Sequence, residues 1–399
     1  TGCGYHSIYK MHNDFEKSFK LFLFPMRLVR THPEIPKNFK WFLQYFGFYG
    51  PFSVLAFIII YNAYFNSING NFTEACKNGI LSLSFFGASL NNMIMLYYRD
   101  SIRTLLDIMK NDYKMVSKLS RDEQKIFQNF VEKKFVVCKI WLILLILSCS
   151  LFSIKAVVLM IYYYVIGEPQ LVHLFDMVYP DFIEQRKGEL LMYLWLYFLI
   201  FAYGVYAGFV YMSFLPFGPV LMLHACAHLE ITQKRIESLF SDKKEANEKL
   251  NDIVKRLQST YNFVEVVKMC FTLSYEATLK LSALVLPITL YAMLESVQHG
   301  EFSLEFSSFL IIGVALSSVP CYYSDILLEK GEEVNLALYS CGWEGAYDRC
   351  ARNTILLLQI RCSRSISMKT MFATLCLGAL TDMFRQAYTL FNLMNTMLN

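Results

Sequence analysis

Residues 190–229 read LLMYLWLYFLIFAYGVYAGFVYMSFLPFGPVLMLHACAHL and contain no Asp, Glu, Lys or Arg. A bilayer core about 30 Å thick requires roughly 20 apolar helical residues, because an α-helix rises about 1.5 Å per residue. This run is therefore long enough to cross a membrane and to extend well beyond it. Pro216 and Pro219 lie inside the run, so we expect the helix to bend there and to continue into the cytoplasm.

Six further segments are long and mostly apolar, and the whole chain is 55% hydrophobic but only 18% charged. Soluble domains carry about 25% charged residues, so this composition indicates a surface that largely faces lipid. No repeat or linker divides the chain. We predict a single all-α domain over residues 1–399. Its seven transmembrane helices are placed at about 41–66, 77–98, 135–166, 190–228, 269–295, 305–324 and 370–398.

The basic residues are distributed asymmetrically between the connecting segments. The segments 1–40, 99–139, 230–268 and 325–369 hold 31 Lys and Arg residues, whereas the alternate connections hold only three: Lys77, Arg186 and Lys187. Cytoplasmic segments of membrane proteins carry the excess of Lys and Arg. The sequence therefore predicts a cytoplasmic N-terminus, an extracellular C-terminus and a cytoplasmic anchor region built from helix extensions.

Two local patterns agree with this orientation. Asn71-Phe72-Thr73 is the only acceptor sequence for N-glycosylation, and it falls in the first predicted extracellular loop. Phe15, Phe19, Phe22 and Met26 recur at helical spacing between basic residues. We expect this segment to form an amphipathic helix at the inner membrane interface.

A few ionisable residues fall within spans, where charge is costly. Glu276 and Lys280, four residues apart, can pair on one helix face, as can Asp382 and Arg385, which are three apart. We favour internal neutralisation for both pairs, with a role in an ion pathway as the alternative. Lys155 has no local partner, so it either extends to the interface or pairs with a carboxylate of another span.

The sequence lacks the signatures of catalysis and of cofactor binding. His224 and His228 have a spacing that can hold zinc, but no third ligand is near them in sequence, and we predict no metal site. Phosphate-binding loops, GxGxxG and GxSxG motifs are absent, so we predict no enzyme and no cofactor. A net charge of +4 without a basic stripe gives no support for nucleic-acid binding.

Aromatic residues cluster towards the outer halves of several spans. Most of them are explained by packing and by anchoring at the interface, but an apolar cavity for a small volatile molecule is the functional interpretation. The predicted ligand-binding residues are Phe85, Phe86, Tyr162, Tyr193, Phe198 and Tyr203.

The C-terminal third of the chain contains a recognisable series of motifs. They are VPCYYSD at 319–325, LALYSCGW at 336–343, a basic-then-leucine helix from Arg349 to Leu358, and AYTLF at 387–391. In this order and spacing they resemble the insect odorant receptors, and the length and orientation extend the resemblance to the whole chain. The Cys-Gly-Trp-Glu variant at 341–344 looks most like receptors of moths and butterflies.

This resemblance implies a ligand-gated, non-selective cation channel in the plasma membrane of the olfactory neuron dendrite. The tuning subunit of such a channel binds a small odorant or pheromone and joins the shared co-receptor in a heterotetramer within membrane lipid. The resemblance places the ligand among the second, third, fourth and sixth spans, and the pore along the last half of the seventh. The matching pore residues are Tyr388, Phe391, Asn392 and Asn395, with Phe391 as the constriction.

Two alternatives remain at this point. A G-protein-coupled receptor also has seven spans, but it requires an extracellular N-terminus, and the chain lacks Asp/Glu-Arg-Tyr and Asn-Pro-x-x-Tyr at the expected places. A gustatory receptor or a transporter differs less. An odorant-evoked current on co-expression with the co-receptor, which a transporter would not give, distinguishes these classes.

The orientation can be tested with an epitope fused to the N-terminus. We expect antibody staining only after the cells are permeabilised, because the cation-rich segments remain in the cytoplasm. An epitope on an extracellular loop serves as the control that must stain intact cells. Staining of the N-terminal epitope on intact cells would contradict the predicted orientation.

Overall fold

A computed structural model describes residues 15–168, 170–174, 177–179, 181–240, 246–298, 304–345 and 348–398. Within these ranges the chain is almost entirely helical, and the sole β-type pairing is an isolated bridge between Lys369 and Thr374. The helices longer than one turn are α1 (Lys20–Leu28), α2 (Phe39–Ile68), α3 (Phe72–Tyr97), α4 (Arg99–Met115), α5 (Arg121–Ile166), α6 (Leu190–Phe214), α7 (Phe217–Glu237), α8 (Ala246–Gln298), α9 (Leu304–Ser340), α10 (Arg349–Cys362) and α11 (Leu377–Leu398).

Six helical segments of the described chain are long and apolar enough to cross a membrane: α2, α3, α5, the pair α6–α7, α8 and α9. They correspond to the first six predicted spans. The seventh, α11, has 22 residues and can cross a bilayer by length. It carries Asp382 and Arg385, which lower its hydropathy, and it does not meet the same criterion of composition.

Two of the differences between the helices and the predicted spans have an identifiable physical cause. The predicted fourth span, 190–228, is divided because α6 ends at Phe214 and α7 begins at Phe217, with Pro216 as the residue that precedes α7. Proline has no N–H to continue the hydrogen-bond ladder, so the break occurs where the sequence predicts a bend. The seventh helix begins at Leu377 rather than at 370. The segment before it is held in a turn by Thr370 and Ala373, whose main chains are hydrogen-bonded.

The cytoplasmic ends of the long helices form one bundle around α7. Every residue from Phe217 to Ala227 is buried, so the first half of α7 is enclosed by protein on all sides. It packs against α5, α8 and α9. The helices α4 and α10 pack on the outside of this bundle. Gly218 has no room for a side chain, because an added Cβ would lie 2.0 Å from the hydroxyl oxygen of Tyr275. This bundle is the predicted cytoplasmic anchor.

The N-terminal helix packs differently from the expectation. The four predicted apolar positions are buried against protein rather than against lipid: Phe15, Phe19, Phe22 and Met26. Phe19 contacts the ring of Tyr113, and Phe22 contacts the ring of Phe217. Sequence periodicity identifies an apolar face but not what covers it, and here the anchor covers it.

A chain of polar contacts joins α4, α5 and α7 inside the anchor. The ammonium of Lys134 lies 3.1 Å from Nδ1 of His224, and Nε2 of His224 lies 3.0 Å from a carboxylate oxygen of Asp112. Nε2 of His228 approaches the same oxygen at 3.2 Å. An ammonium group only donates, so His224 accepts at Nδ1 and donates its Nε2–H to Asp112.

Burial and charge shift these groups strongly. Burial lowers the pKa of Lys134 to about 7, although Asp112 opposes this shift. Burial, together with the charge of Lys134, lowers the pKa of His224 to about 3, so its ring is neutral. Burial alone would raise the pKa of Asp112, but hydrogen bonds from His224 and His228 hold it well below its usual range.

The side-chain atoms of Asp112, His224 and His228 lie within 4.8 Å of one another, a spacing that suits a divalent cation. A metal-bound imidazole, however, donates its second N–H to an acceptor, whereas Lys134 donates to that nitrogen of His224 here. We therefore interpret the group as a hydrogen-bonded network that holds three helices together. Asp112 is more than 100 residues from the histidines in sequence, which is why their spacing alone did not reveal it.

Asp112→Asn should strongly destabilise the anchor. The variant leaves the buried ammonium of Lys134 without its nearest anion, and an uncompensated buried charge costs about 3 kcal/mol or more. The double variant Asp112→Asn/Lys134→Met should recover much of the loss, as the melting temperature of the detergent-purified protein would show. Asp122→Asn is the control, because Asp122 forms an exposed pair with Lys125. Equal losses in the single and double variants would contradict the network.

Candidate functional site

A cavity with a volume of about 200 Å³ lies between α3, α5, α6 and α9. Its wall is almost wholly apolar, and its large aromatic members are Trp141, Phe152, Phe201, Tyr203, Tyr211 and Phe309. Phe309 lies within about the first two turns of α9, close to the end that the charge count places outside. The cavity therefore lies across the middle of the bundle and reaches towards the outer end of α9.

Small residues on α6 create the space. Gly204, Ala207 and Gly208 are three to four residues apart, so they share one helix face, and all three line the cavity. Gly208 allows α5 to approach closely, since a Cβ at this position would lie 2.5 Å from a methyl carbon of Leu145. Small residues at such spacing are typical of close contacts between membrane helices.

The six predicted ligand-binding residues occupy different environments. Tyr203 lines the cavity and stacks on Phe52 with ring centroids 4.7 Å apart. Phe85 packs against the same Phe52 ring, also at 4.7 Å, and does not line the cavity. The hydroxyl of Tyr193 donates to the carbonyl oxygen of Val172 at 2.9 Å. The other three side chains are more than half exposed on the surface of the chain: Phe86, Tyr162 and Phe198.

Most of the cavity wall was not predicted from the sequence. The predicted residues are all aromatic, whereas the wall also needs small side chains opposite them, such as Ser148, Cys149 and Ala207. The spacing of the small residues at 204, 207 and 208 was the available signal. Helix periodicity does not by itself say which face of a wholly apolar helix points inward, and α6 is such a helix.

An ionic group lies at the outer side of the bundle. The ammonium of Lys155 on α5 lies 2.9 Å from one carboxylate oxygen of Glu305 at the start of α9. Lys77 on α3 lies 3.5 Å from the other oxygen, and Glu74 is 3.6 Å from Lys77. Of the two alternatives for Lys155, the structure therefore shows pairing with another span. These contacts join three of the four helices that surround the cavity.

The segment before α11 is fixed by polar contacts from α8 and α9. The hydroxyl of Ser324 on α9 donates to the carbonyl oxygen of Leu375 at 2.5 Å and accepts from the amide of Met368 at 3.2 Å. Glu276 pairs with Lys280 at 2.7 Å, as predicted, and also accepts from the amide of Met371. The same helix, α9, thus contacts both the cavity and the entry to α11.

The predicted pore residues lie on one helix, α11, at positions that share a face. Leu380, Met383 and Ala387 form the buried face of α11, which packs on α8 and α9. Tyr388 and Asn392 are exposed, whereas Phe391 and Asn395 are partly buried. Arg385 is three residues before Tyr388 and forms an exposed pair with Asp382 at 3.5 Å. The surface around Tyr388 and Asn392 is therefore not covered by the described residues of its own chain. Asn399 lies outside the described residues.

Comparison with known proteins identifies the family. Residues 71–388 match the sequence profile of the seven-transmembrane (7tm) odorant receptors. The fold is similar to that of the insect olfactory receptor OR5 from Machilis hrabei in complex with eugenol, with a TM-score of 0.78 and 16% identity, covering 96% of this chain and 98% of that chain. A second structure of that receptor gives a TM-score of 0.73 and 15% identity, covering 95% and 96% of the two chains. No curated protein matches the sequence.

The family match covers most of the chain, and the likeness of fold covers nearly all of it. The helices, the apolar cavity and the C-terminal motifs agree with that match. The chain therefore belongs to the insect seven-transmembrane odorant receptor family.

Proposed function

We propose that this chain is the ligand-binding subunit of an odorant-gated, non-selective cation channel in the plasma membrane of the olfactory neuron dendrite. Its partner is the co-receptor of the family, in a heterotetramer. The observation that carries the proposal is the apolar cavity between α3, α5, α6 and α9, which reaches towards the end of the bundle that the charge distribution assigns to the outside.

The cavity favours a small apolar volatile as the ligand. Its apolar wall offers desolvation as the main source of affinity, and a few hydroxyl groups, including those of Ser148 and Tyr203, supply orientation. The insect olfactory receptor OR5 from Machilis hrabei, whose fold is similar, was solved in complex with eugenol. A ligand of this size buries limited surface, so a micromolar affinity, about −8 kcal/mol, is reasonable.

Coupling from the cavity to the pore runs through α9. Phe309 and Leu316 line the cavity, and Ser324, farther along the same helix, holds the segment that leads into α11. A ligand that fits better when α9 is displaced shifts the closed–open equilibrium, by no more than its difference in affinity for the two states. Since α9 is one continuous helix from Leu304 to Ser340, a movement at the cavity is transmitted to Ser324.

The assembly is supported by exposed apolar side chains at the cytoplasmic end. Leu336 and Tyr339 on α9 and Leu357 and Ile360 on α10 are each about two-thirds exposed, although they lie beyond the spans. Large apolar side chains clustered in water mark contact surfaces. We assign this surface to contacts between subunits, with the α11 face around Tyr388 and Asn392 turned towards the shared pore.

The rival classes make different predictions. A G-protein-coupled receptor has the opposite orientation, so its cation-rich anchor would face the outside. A transporter or a gustatory receptor would not give an odorant-evoked current when the chain is co-expressed with the odorant co-receptor. A screen of volatiles against the co-expressed pair therefore tests the proposed class and finds an activating ligand.

Ala207→Phe should fill the cavity and raise the concentration of volatile that gives half-maximal current by at least tenfold. The added ring occupies space that the ligand requires, and a tenfold change corresponds to about 1.4 kcal/mol. Ala202→Phe is the matched control, because Ala202 lies on an exposed face of the same helix. Whole-cell current measures both variants, and an unchanged response of Ala207→Phe would contradict this location of the ligand.

Phe391→Ala should change ion permeation without loss of surface expression. Removal of the proposed constriction should widen the pore, so we expect an altered unitary conductance or altered permeability to large organic cations. Leu393→Ala is the control, since Leu393 is exposed on a different face of α11. If Phe391→Ala conducts and gates like the unmodified chain, Phe391 is not the constriction.

A further inference from the structure

A second, smaller cavity adjoins the first and has a different chemical character. It has a volume of about 70 Å³ and lies between α3, α6, α8 and α9. Its wall includes Asn91, Thr278 and Ser282 beside apolar residues, so the share of polar groups is larger than in the main cavity. Helix α8 contributes to this cavity but not to the main one.

The two cavities share part of their walls, and Tyr211 on α6 lies in the shared part. Its hydroxyl donates to the main-chain carbonyl oxygen of Ser84 on α3 at 2.5 Å, so the side chain bridges two helices. Ser84, Phe309, Ile312 and Leu316 also line both cavities. The residues that line both cavities form the partition between them. The Tyr211–Ser84 hydrogen bond is a polar contact in this partition, which is otherwise apolar.

Two buried polar groups in the smaller cavity lack partners among the described residues. The side-chain oxygen of Asn91 accepts from the hydroxyl of Ser274 at 2.7 Å, which fixes the amide and leaves its NH₂ group without an acceptor. Ser282 is 95% buried, and its hydroxyl likewise has no partner in the described part of the chain. Both side chains line the smaller cavity.

Unpaired donors inside a membrane bundle are unfavourable, because no bulk water reaches them. A cavity of this volume has room for a polar end group, and such a group would supply the missing acceptor. The main cavity, by contrast, offers an apolar wall that suits a hydrocarbon body.

We propose that the two cavities are compartments of one ligand site divided by Tyr211, for an elongated ligand whose hydrocarbon body fills the larger compartment and whose oxygen-bearing end group reaches Asn91 and Ser282. The proposal rests on the proposed function and narrows its ligand class to elongated apolar molecules with an oxygen that accepts hydrogen bonds at one end. Tyr211 is then a specificity-determining residue, because the strength of its bond to Ser84 controls access to the smaller compartment.

The end-group part of the proposal is tested by comparing 1-alkanols with n-alkanes of matched length as activators of the co-expressed channel. Ser282→Ala and Asn91→Leu should raise the half-maximal concentration for the alkanols by about tenfold and leave the alkanes unchanged, since a buried hydrogen bond is lost. Ser282→Ala removes only one oxygen atom, so it keeps the test valid if Asn91→Leu fails to reach the membrane. Equal effects on alkanols and alkanes would overturn the assignment of the end group.

The partition is tested with Tyr211→Phe, which removes the bond to Ser84 but keeps the ring. We expect the most potent alkanol to become longer by two or more carbons. Tyr206→Phe is the matched control, because Tyr206 is a tyrosine of the same helix that lines neither cavity. An unchanged optimum length in Tyr211→Phe would overturn the role of Tyr211 while the proposed function stands. If no volatile evokes a current from the unmodified chain, both proposals fall.

Discussion

Backbone amide and carbonyl groups have no water to bond inside a bilayer, and the fold depends on this constraint. It requires each apolar segment to form a helix that satisfies its own backbone. Side-chain donors obey the same rule: the hydroxyls of Ser84, Thr278 and Ser317 all donate to carbonyl oxygens one turn earlier in their own helices. The helices in the membrane therefore satisfy most of their hydrogen-bonding groups internally, and few polar groups remain to join one helix to another.

The contacts that do join the helices are consequently informative. The side-chain amide of Asn92 donates to the hydroxyl of Tyr45, and the hydroxyl of Ser274 donates to the side-chain oxygen of Asn91. The hydroxyl of Tyr211 donates to the carbonyl oxygen of Ser84, and each of these three hydrogen bonds joins two spans. Glu305 forms ion pairs with both Lys77 and Lys155 at the outer side of the bundle. In lipid, where apolar association is weak, close packing and such bonds decide how helices are arranged. The cavities lie beside these contacts, where small side chains leave the space between neighbouring helices unfilled. Outside the lipid the anchor depends instead on burial of α7 in a large apolar core.

Much of the architecture follows from the sequence because it rests on local properties. Hydropathy locates the first six membrane helices, Pro216 marks the break between α6 and α7, and the Glu276–Lys280 spacing predicts their pair. The partners of Lys155 and His224 could not be derived in this way, since Glu305 and Asp112 are more than 100 residues away from them. Among the predicted ligand residues, only Tyr203 lines the cavity. A helix such as α6 is apolar on all sides, so its sequence does not show which face points inward. The start of α11 at Leu377 depends on bonds from Ser324, which are also long-range.

The central claim is that the cavity between α3, α5, α6 and α9 holds the ligand and that its occupation acts on α11 through α9. Cryo-electron microscopy of the complex with the co-receptor, with and without an activating volatile, tests this claim most directly. We expect ligand density between Tyr203 and Phe309 only in the sample that contains the volatile, together with a displacement of α9 near Ser324. Ligand density at another place, with this cavity unchanged, would contradict the account.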